Sequence, residues 1–240
     1  MAIKKPETVD IIGNLISQLS TTGQLVSKAV EWINNGDDTY TLPLCRTYWF
    51  KVGDYIIDPV STDKLYLTSV VKDESITVQS FYPPSSNSVG LPDVKYFHGT
   101  IINTNNELTN IPKSTNKVPM VYLLEQFEER YFTGDSVLDR EVTLRMFFLD
   151  EANTNVWTTD EHYENVINRT REILDYFIYQ VLFKTKGIGK INEYFTTNRV
   201  NFGVYQTEKG TINQVFNDQL SGIELRITIP ISKNYVDCYC

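Results

Sequence analysis

Between Glu141 and Ile231 the hydrophobic period of this chain changes from two to about 3.6 and back to two, a succession that few folds accommodate. In Glu141–Asp150, Val142, Leu144, Met146 and Phe148 alternate with Glu141, Thr143 and Arg145, the pattern of a strand with one buried face. Near the end, Ile223, Leu225, Ile227, Ile229 and Ile231 alternate with Glu224, Arg226 and Thr228. Between these tracts, Tyr163, Val166, Ile167, Thr170, Leu174, Phe177, Ile178, Val181 and Leu182 recur at three- and four-residue steps, which predicts one long amphipathic helix. Thr158 and Glu161 spell a capping box at its start, with Asp160 adding negative charge where the helix dipole favours it. Lys184, Lys186 and Gly187 spell its stop. A helix of ~25 residues is about 37 Å long, enough to cover one face of a four-stranded sheet.

Met120–Tyr131 is rich in strand formers, apolar at first and charged later. It is expected to pair with the Glu141 tract as a hairpin across Thr133–Asp139. Two strands, a helix and two strands therefore make an antiparallel four-stranded sheet with one covering helix. Pro6–Leu19 predicts a further, N-terminal helix with Ile12, Leu15, Ile16 and Leu19 on its apolar stripe and Thr21, Thr22 and Gly23 at its end. From Leu25 to Ile111 the texture differs: short strands are punctuated by turn spellings at Asn34–Asp37, Val52–Asp54 and Lys72–Ser75. That spacing predicts an inserted all-β module, a small barrel or sandwich. Pro83–Ser88 is its candidate mobile loop, and Tyr96–Thr104 with Glu107–Ile111 reads as an extended hairpin around Asn105 and Asn106. The expected division is residues 1–24 with 113–240 as an α+β domain and 25–112 as the insert.

Twenty-two basic and 30 acidic side chains give a formal charge of −8, which opposes tight binding to nucleic-acid backbones. Three cysteines, no apolar opening segment and no apolar run approaching the ~20 residues of a membrane span lead to the expectation of a reducing cytoplasm and no membrane partner. There is no internal repeat and no low-complexity tract.

Pro119–Glu125, the strand Glu141–Asp150, the helix from Thr159 and the closing Gly222–Ile227, preceded by the N-terminal helix, together resemble the tail-terminator and tail-completion proteins of tailed bacteriophages. The likeness covers the first ~20 residues and residues 118–240. The β insert departs from the compact family pattern and resembles the elaborated ring proteins of short-tailed phages infecting gut Bacteroidetes. The resemblance implies a structural virion protein assembled in the host cytoplasm: a homo-oligomeric neck ring between portal and tail. Its partners would be copies of itself, the portal or adjacent neck and tail proteins, and double-stranded DNA passing without sequence specificity. The alternative, from another class, is a soluble module that binds peptide, glycan or nucleic acid through the β insert.

Residues able to do chemistry are sparse. Cys238 and Cys240 would need more ligands than His98 and His162 supply for a zinc site. His98 has no nucleophile or orienting carboxylate identifiable beside it. Glu125 and Glu129 share one strand face with Glu128 on the other, a solvated strand end. Gly187-Ile188-Gly189-Lys190 lacks the spacing of a phosphate loop and follows a helix. Asn168-Arg169-Thr170 spells a glycosylation acceptor in mid-helix. The reading is therefore of a non-enzyme with no cofactor and no metal.

Two surface groups are candidates for contact. Lys184, Lys186 and Lys190 either complement the helix dipole or meet an acidic partner or DNA in a lumen. On the sheet side away from the helix, Phe147 and Leu149 lie with Arg145, so this face needs a cover, either the N-terminal helix or a neighbouring subunit. Tyr48, Trp49, Phe50, Tyr55, Tyr66, Phe81 and Tyr82 of the insert have the composition of a base-stacking platform. Yet residues 25–112 carry six basic side chains (Lys28, Arg46, Lys51, Lys64, Lys72, Lys95) against ten acidic ones, which assigns them to core or protein contact.

Overall fold

A computed structural model describes residues 6–22, 24–26, 31–44, 46–58, 60–85, 88–90, 92–112, 117–134, 136–153, 156–206, 208 and 212–235. The fold is mixed α+β, in two compact units: Met1–Ser17 with Lys95–Cys240, and Gln18–Val94.

Helix α1 (Thr8–Thr22) starts in the first unit, and Ile11, Ile12, Leu15, Ile16 and Leu19 are all buried, as its stripe requires. The helix runs through Thr21 and Thr22, which were expected to end it.

In the second unit, β1 (Gln24–Val26) is followed by β2 (Ile33–Gly36), β3 (Thr39–Pro43), β4 (Tyr55–Ile57), β5 (Lys64–Val71), β6 (Ser75–Gln79) and β7 (Ser88–Gly90). The order β2-β3-β6-β5-β4 makes an antiparallel five-stranded sheet, and β1 with β7 makes a separate ribbon. The five-stranded sheet is an open path with β2 and β4 as edges, not a closed barrel. Its buried face carries Tyr40, Leu42, Ile56, Leu65, Leu67, Ile76 and Val78, with Trp49 and Phe50 also buried. Buried Asp58 accepts backbone hydrogen bonds from Val60, Ser61 and Ser85, so one carboxylate ties three loop amides together.

The first unit resumes with β8 (Lys95–Gly99), α2 (Ile101–Asn110), β9 (Met120–Leu124), β10 (Glu128–Tyr131) and β11 (Leu138–Glu151). Helix α3 spans residues 159–184, with π turns at Tyr163–Ile167 and Phe177–Val181. Then come β12 (Tyr194–Phe202), the short β13 (Val204–Gln206) and β14 (Ile212–Gln214), and β15 (Leu220–Ser232). The main sheet has six strands in the order β12-β15-β11-β9-β8, with β10 also on β11.

Two expectations are corrected by this sheet. The supposed hairpin after Tyr96 is strand β8 and helix α2, with Thr100 capping the helix by accepting from the Asn103 amide. Because β8 pairs with β9, and does so in parallel, residues 95–112 belong to the α+β unit and the β unit stops at Val94. The sheet is consequently six-stranded with one parallel pair, not four-stranded and wholly antiparallel. The hairpin of Met120–Tyr131 with the Glu141 tract does form, but its first arm breaks into β9 and β10 at residues 125–127.

Register assigns the faces. Tyr96, Val121, Phe148 and Ile223 lie side by side across four strands. With Leu144, Met146, Leu225 and Ile227 they form the inner face, under α3. Phe148 meets Phe177 of α3 at 5.7 Å between rings. Tyr163, counted in the helix stripe by its spacing, is instead 40% exposed at the first π turn and accepts a hydrogen bond from Asn198. Buried Arg169 donates to buried Asp150 at 2.7 Å, fastening α3 to β11. On the same face Tyr96 donates to the Val9 carbonyl of α1, Arg140 donates to the Pro6 carbonyl, and the Thr8 hydroxyl donates to Glu129.

Candidate functional site

The opposite face of the main sheet, the outer face, is divided into two halves of contrasting chemistry. In one half, Phe147 and Leu149 join Met120, Tyr122, Leu124, Leu108 of α2, and Phe216 and Leu220 in a buried cluster. Phe147 stacks on Tyr122 at 5.7 Å and lies 4.7 Å from Phe202. The cover that this face needed is therefore supplied by the chain itself, through Leu108 of α2 and through Phe202, Val215, Phe216 and Leu220. Phe147 and Leu149, 5% and 0% exposed, are core and not a subunit interface; of that trio only Arg145 reaches the surface.

The other half has no such cover among the described residues. Cross-strand register sets Arg145 of β11 opposite Arg226 of β15, and Phe195 of β12 opposite Arg226 on the far side. Two arginines side by side on a sheet repel one another unless a carboxylate lies between them. Glu224, fully buried two residues along the same strand face, is that carboxylate. One of its oxygens accepts from Nε of Arg145 at 2.9 Å and Nε of Arg226 at 2.6 Å. The other accepts from Arg199 of β12, through Nε at 2.7 Å and through Nη2. Burial alone would raise the Glu224 pKa, but hydrogen bonds from Arg226, Arg199 and Arg145 outweigh it and hold it at about 2.

The arginines are anchored at their inner ends and open at their outer ones. Their side chains are 41%, 39% and 52% exposed for Arg145, Arg199 and Arg226, against 0% for Glu224. Among the described residues, the Nη groups of Arg145 and Arg226 have no acceptor; the Arg145 guanidinium also rests against the Phe147 ring at 5.7 Å. Three guanidiniums against one carboxylate leave two positive charges on a chain of net charge −8. Phe195, 63% exposed, stands beside them. A groove of about 290 Å³ continues from Arg226 past Thr143, Thr228 and Pro230 to Lys190, Glu141 and Glu193. Such a surface can present fixed, bidentate donors to carboxylate or phosphate oxygens while offering an aromatic anchor.

The other sequence candidates are dispersed. Lys190 lies in the groove with Arg226, whereas Lys184 is exposed at the end of α3 and donates to Gln180, and Lys186 is exposed beyond it. Two amides of the Gly187–Lys190 segment are engaged within the fold: Ile188 donates to the Thr185 carbonyl and Gly189 to the Pro230 carbonyl at 2.7 Å. His98 is exposed against Tyr96, and His162 is buried with Nδ1 3.2 Å from the Ser221 hydroxyl. Glu129 binds Thr8 and approaches Arg140 at 3.5 Å, so it is a tether, while Glu125 and Glu128 are exposed. Arg169, in the glycosylation spelling, is buried on Asp150. Cys45, Cys238 and Cys240 lie outside the described residues. Among the described residues no cluster of His, Cys, Asp and Glu has the grouping of a metal site, and no helix is long and apolar enough to cross a membrane.

Sequence reading placed Glu224 and Arg226 on the polar side of the last strand but missed the cluster. Arg199 lies in a tract with no regular alternation, and only register brings three strands' side chains onto one carboxylate. The chain matches no family model, no curated protein and no solved structure.

Proposed function

We propose that this protein works by assembly, as a structural virion subunit of a homo-oligomeric neck ring between portal and tail through which the genome passes. The observation that carries the assembly reading is the uncovered half of the outer sheet face. There, three half-exposed arginines are locked in place by a buried glutamate beside an exposed phenylalanine. Arginine and aromatic side chains on a rigid scaffold are the composition of protein interfaces, where pre-ordered donors lose little freedom on binding. The choice of a neck ring within that class rests on the resemblance of Pro119–Glu125, Glu141–Asp150, the helix from Thr159 and Gly222–Ile227 to the tail-terminator and tail-completion proteins.

Mass measurement of the purified chain, alone and with portal, capsid and tail proteins, tests this reading, together with an image of the particle in which the chain is located. Discrete rings, or incorporation at the neck, are expected; a chain that joins no particle and forms no oligomer overturns it.

A second reading keeps the β unit as a binding module, favoured by the exposure of Phe81, Tyr82 and Tyr66 at 87%, 74% and 54%. It requires that residues 18–94 fold alone and retain a ligand. The ring reading instead expects contacts spread over both units.

A further inference from the structure

The arginine half of the outer face has a counterpart on the other side of the same unit. Helix α3 lies on the inner face of the sheet, so its outward side points away from the arginines. At its start, Asp160 and Glu164 are exposed, and Val156, 73% exposed, precedes them. Glu161 is held by the capping box, where its carboxylate accepts from the Thr158 amide and hydroxyl, which leaves Asp160 and Glu164 as the available acids. One surface thus offers guanidiniums beside an exposed phenylalanine, and the other offers carboxylates beside an exposed valine. Because they face opposite ways, one copy cannot join its own two surfaces, but successive copies can.

We propose that the Arg145–Arg199–Arg226 surface receives the acidic start of α3 from a second copy, in a head-to-tail contact repeated from copy to copy. This rests on the assembly reading above and names its interface. Heterologous contacts of this kind close into rings when the rotation between copies permits. Three features favour a protein carboxylate over a nucleic-acid phosphate. Phe195 gives the surface an apolar anchor beside the arginines, which a phosphate backbone does not match. Glu141 and Glu193 in the adjoining groove would repel a polyanion. The excess of 30 acidic over 22 basic side chains makes the chain's own surface a source of carboxylates. Strand β12 adds to the case: it is the outermost strand of the sheet, nine residues long, and its outer edge is unpaired among the described residues. Natural sheets cover or blunt such edges. A copy seated on the arginines and Phe195 would lie against this one.

The test uses the full chain and two variants that leave Glu224 and its three arginines unsubstituted. Thr197→Glu with Phe195→Glu puts carboxylates beside the arginines, both on exposed positions of β12. Asp160→Lys with Glu164→Lys reverses the helix surface. Folding is verified by far-UV circular dichroism and thermal unfolding, and association by sedimentation over a range of protein and salt concentrations. The wild type is expected to self-associate, less so as salt rises, and each variant to associate at least about tenfold more weakly. An equal mixture of the two should stop at a dimer, since each partner contributes one intact surface.

Wild-type association unchanged in both variants overturns the interface and leaves the ring reading standing. A monomeric wild type overturns the interface, and the particle image then judges the ring reading on its own. Retention of labelled duplex DNA that the Thr197→Glu, Phe195→Glu variant loses, with self-association unchanged, overturns the inference in favour of phosphate binding.

Discussion

Glu224 shows how one residue can serve both the fold and the surface above it. Its carboxyl pKa falls from 4.5 in the unfolded chain to about 2 in the fold, so the unfolded state takes up the proton first as pH drops. The stability that the cluster contributes is therefore complete above pH 4.5 and is lost as pH falls from there towards 2. The shift corresponds to about 3 kcal/mol at most, reduced in practice because the arginines are half-exposed. Denaturant unfolding of the wild type at a series of pH values should show this acid loss, and Glu224→Gln should be weaker at pH 7 with a flatter profile below 4.5. Phe147 makes the contrasting case. Its place in the apolar cluster predicts that Phe147→Ala costs about 3 kcal/mol of folding stability. A change in oligomerisation with stability unaltered would restore it to an interface. Gly222 is a third residue whose role only the structure shows: a Cβ there would sit 1.9 Å from the Phe148 carbonyl, closer than atoms pack.

At the scale of elements, helices α2 and α3 were not equally legible. The start of α3 is written in its sequence: Thr158 and Glu161 make the reciprocal capping box that their spacing predicts. Thr158→Ala should lower stability by about 1 kcal/mol, read as a shift in the denaturant midpoint. Helix α2 is not written in this way. Asn103, Asn105, Asn106 and Asn110 are poor helix formers, and only Thr104 and Leu108 are buried, so neither propensity nor a broad stripe announces it. Packing decides instead: Leu108 seals the apolar half of the outer face, and the helix carries the chain from β8 to its parallel neighbour β9. Leu108→Ala should cost about 3 kcal/mol and raise amide exchange in β8 and β9. The same substitution with no effect on that pair would separate α2 from the sheet's stability.

For the whole molecule, two compact units imply two regions whose local openings differ. Asp58 gathers three amides, all within Gln18–Val94. Asp58→Ala should therefore raise amide exchange across the β unit of the full chain and leave β11 and β15 protected; a uniform rise would mean that the units open together. Sequence periodicity was enough for α1, α3, β11 and β15, because each buries one continuous stripe and the period of that stripe is a local property. It was enough, too, for the changed texture of the β unit, but not for its boundary at Val94, since only pairing with β9 shows that Lys95–Gly99 belongs to the other sheet. The chain alone determined that Phe147 and Leu149 needed cover and that Arg145, Glu224 and Arg226 lay on polar strand faces. Tertiary structure decided that α2, Phe202, Val215, Phe216 and Leu220 supply the cover, and that Arg145, Arg199 and Arg226 converge on Glu224. The reason is that strand register joins residues far apart in the chain, as in Arg145 opposite Arg226, 81 positions on, and no local pattern encodes which strand will lie beside which.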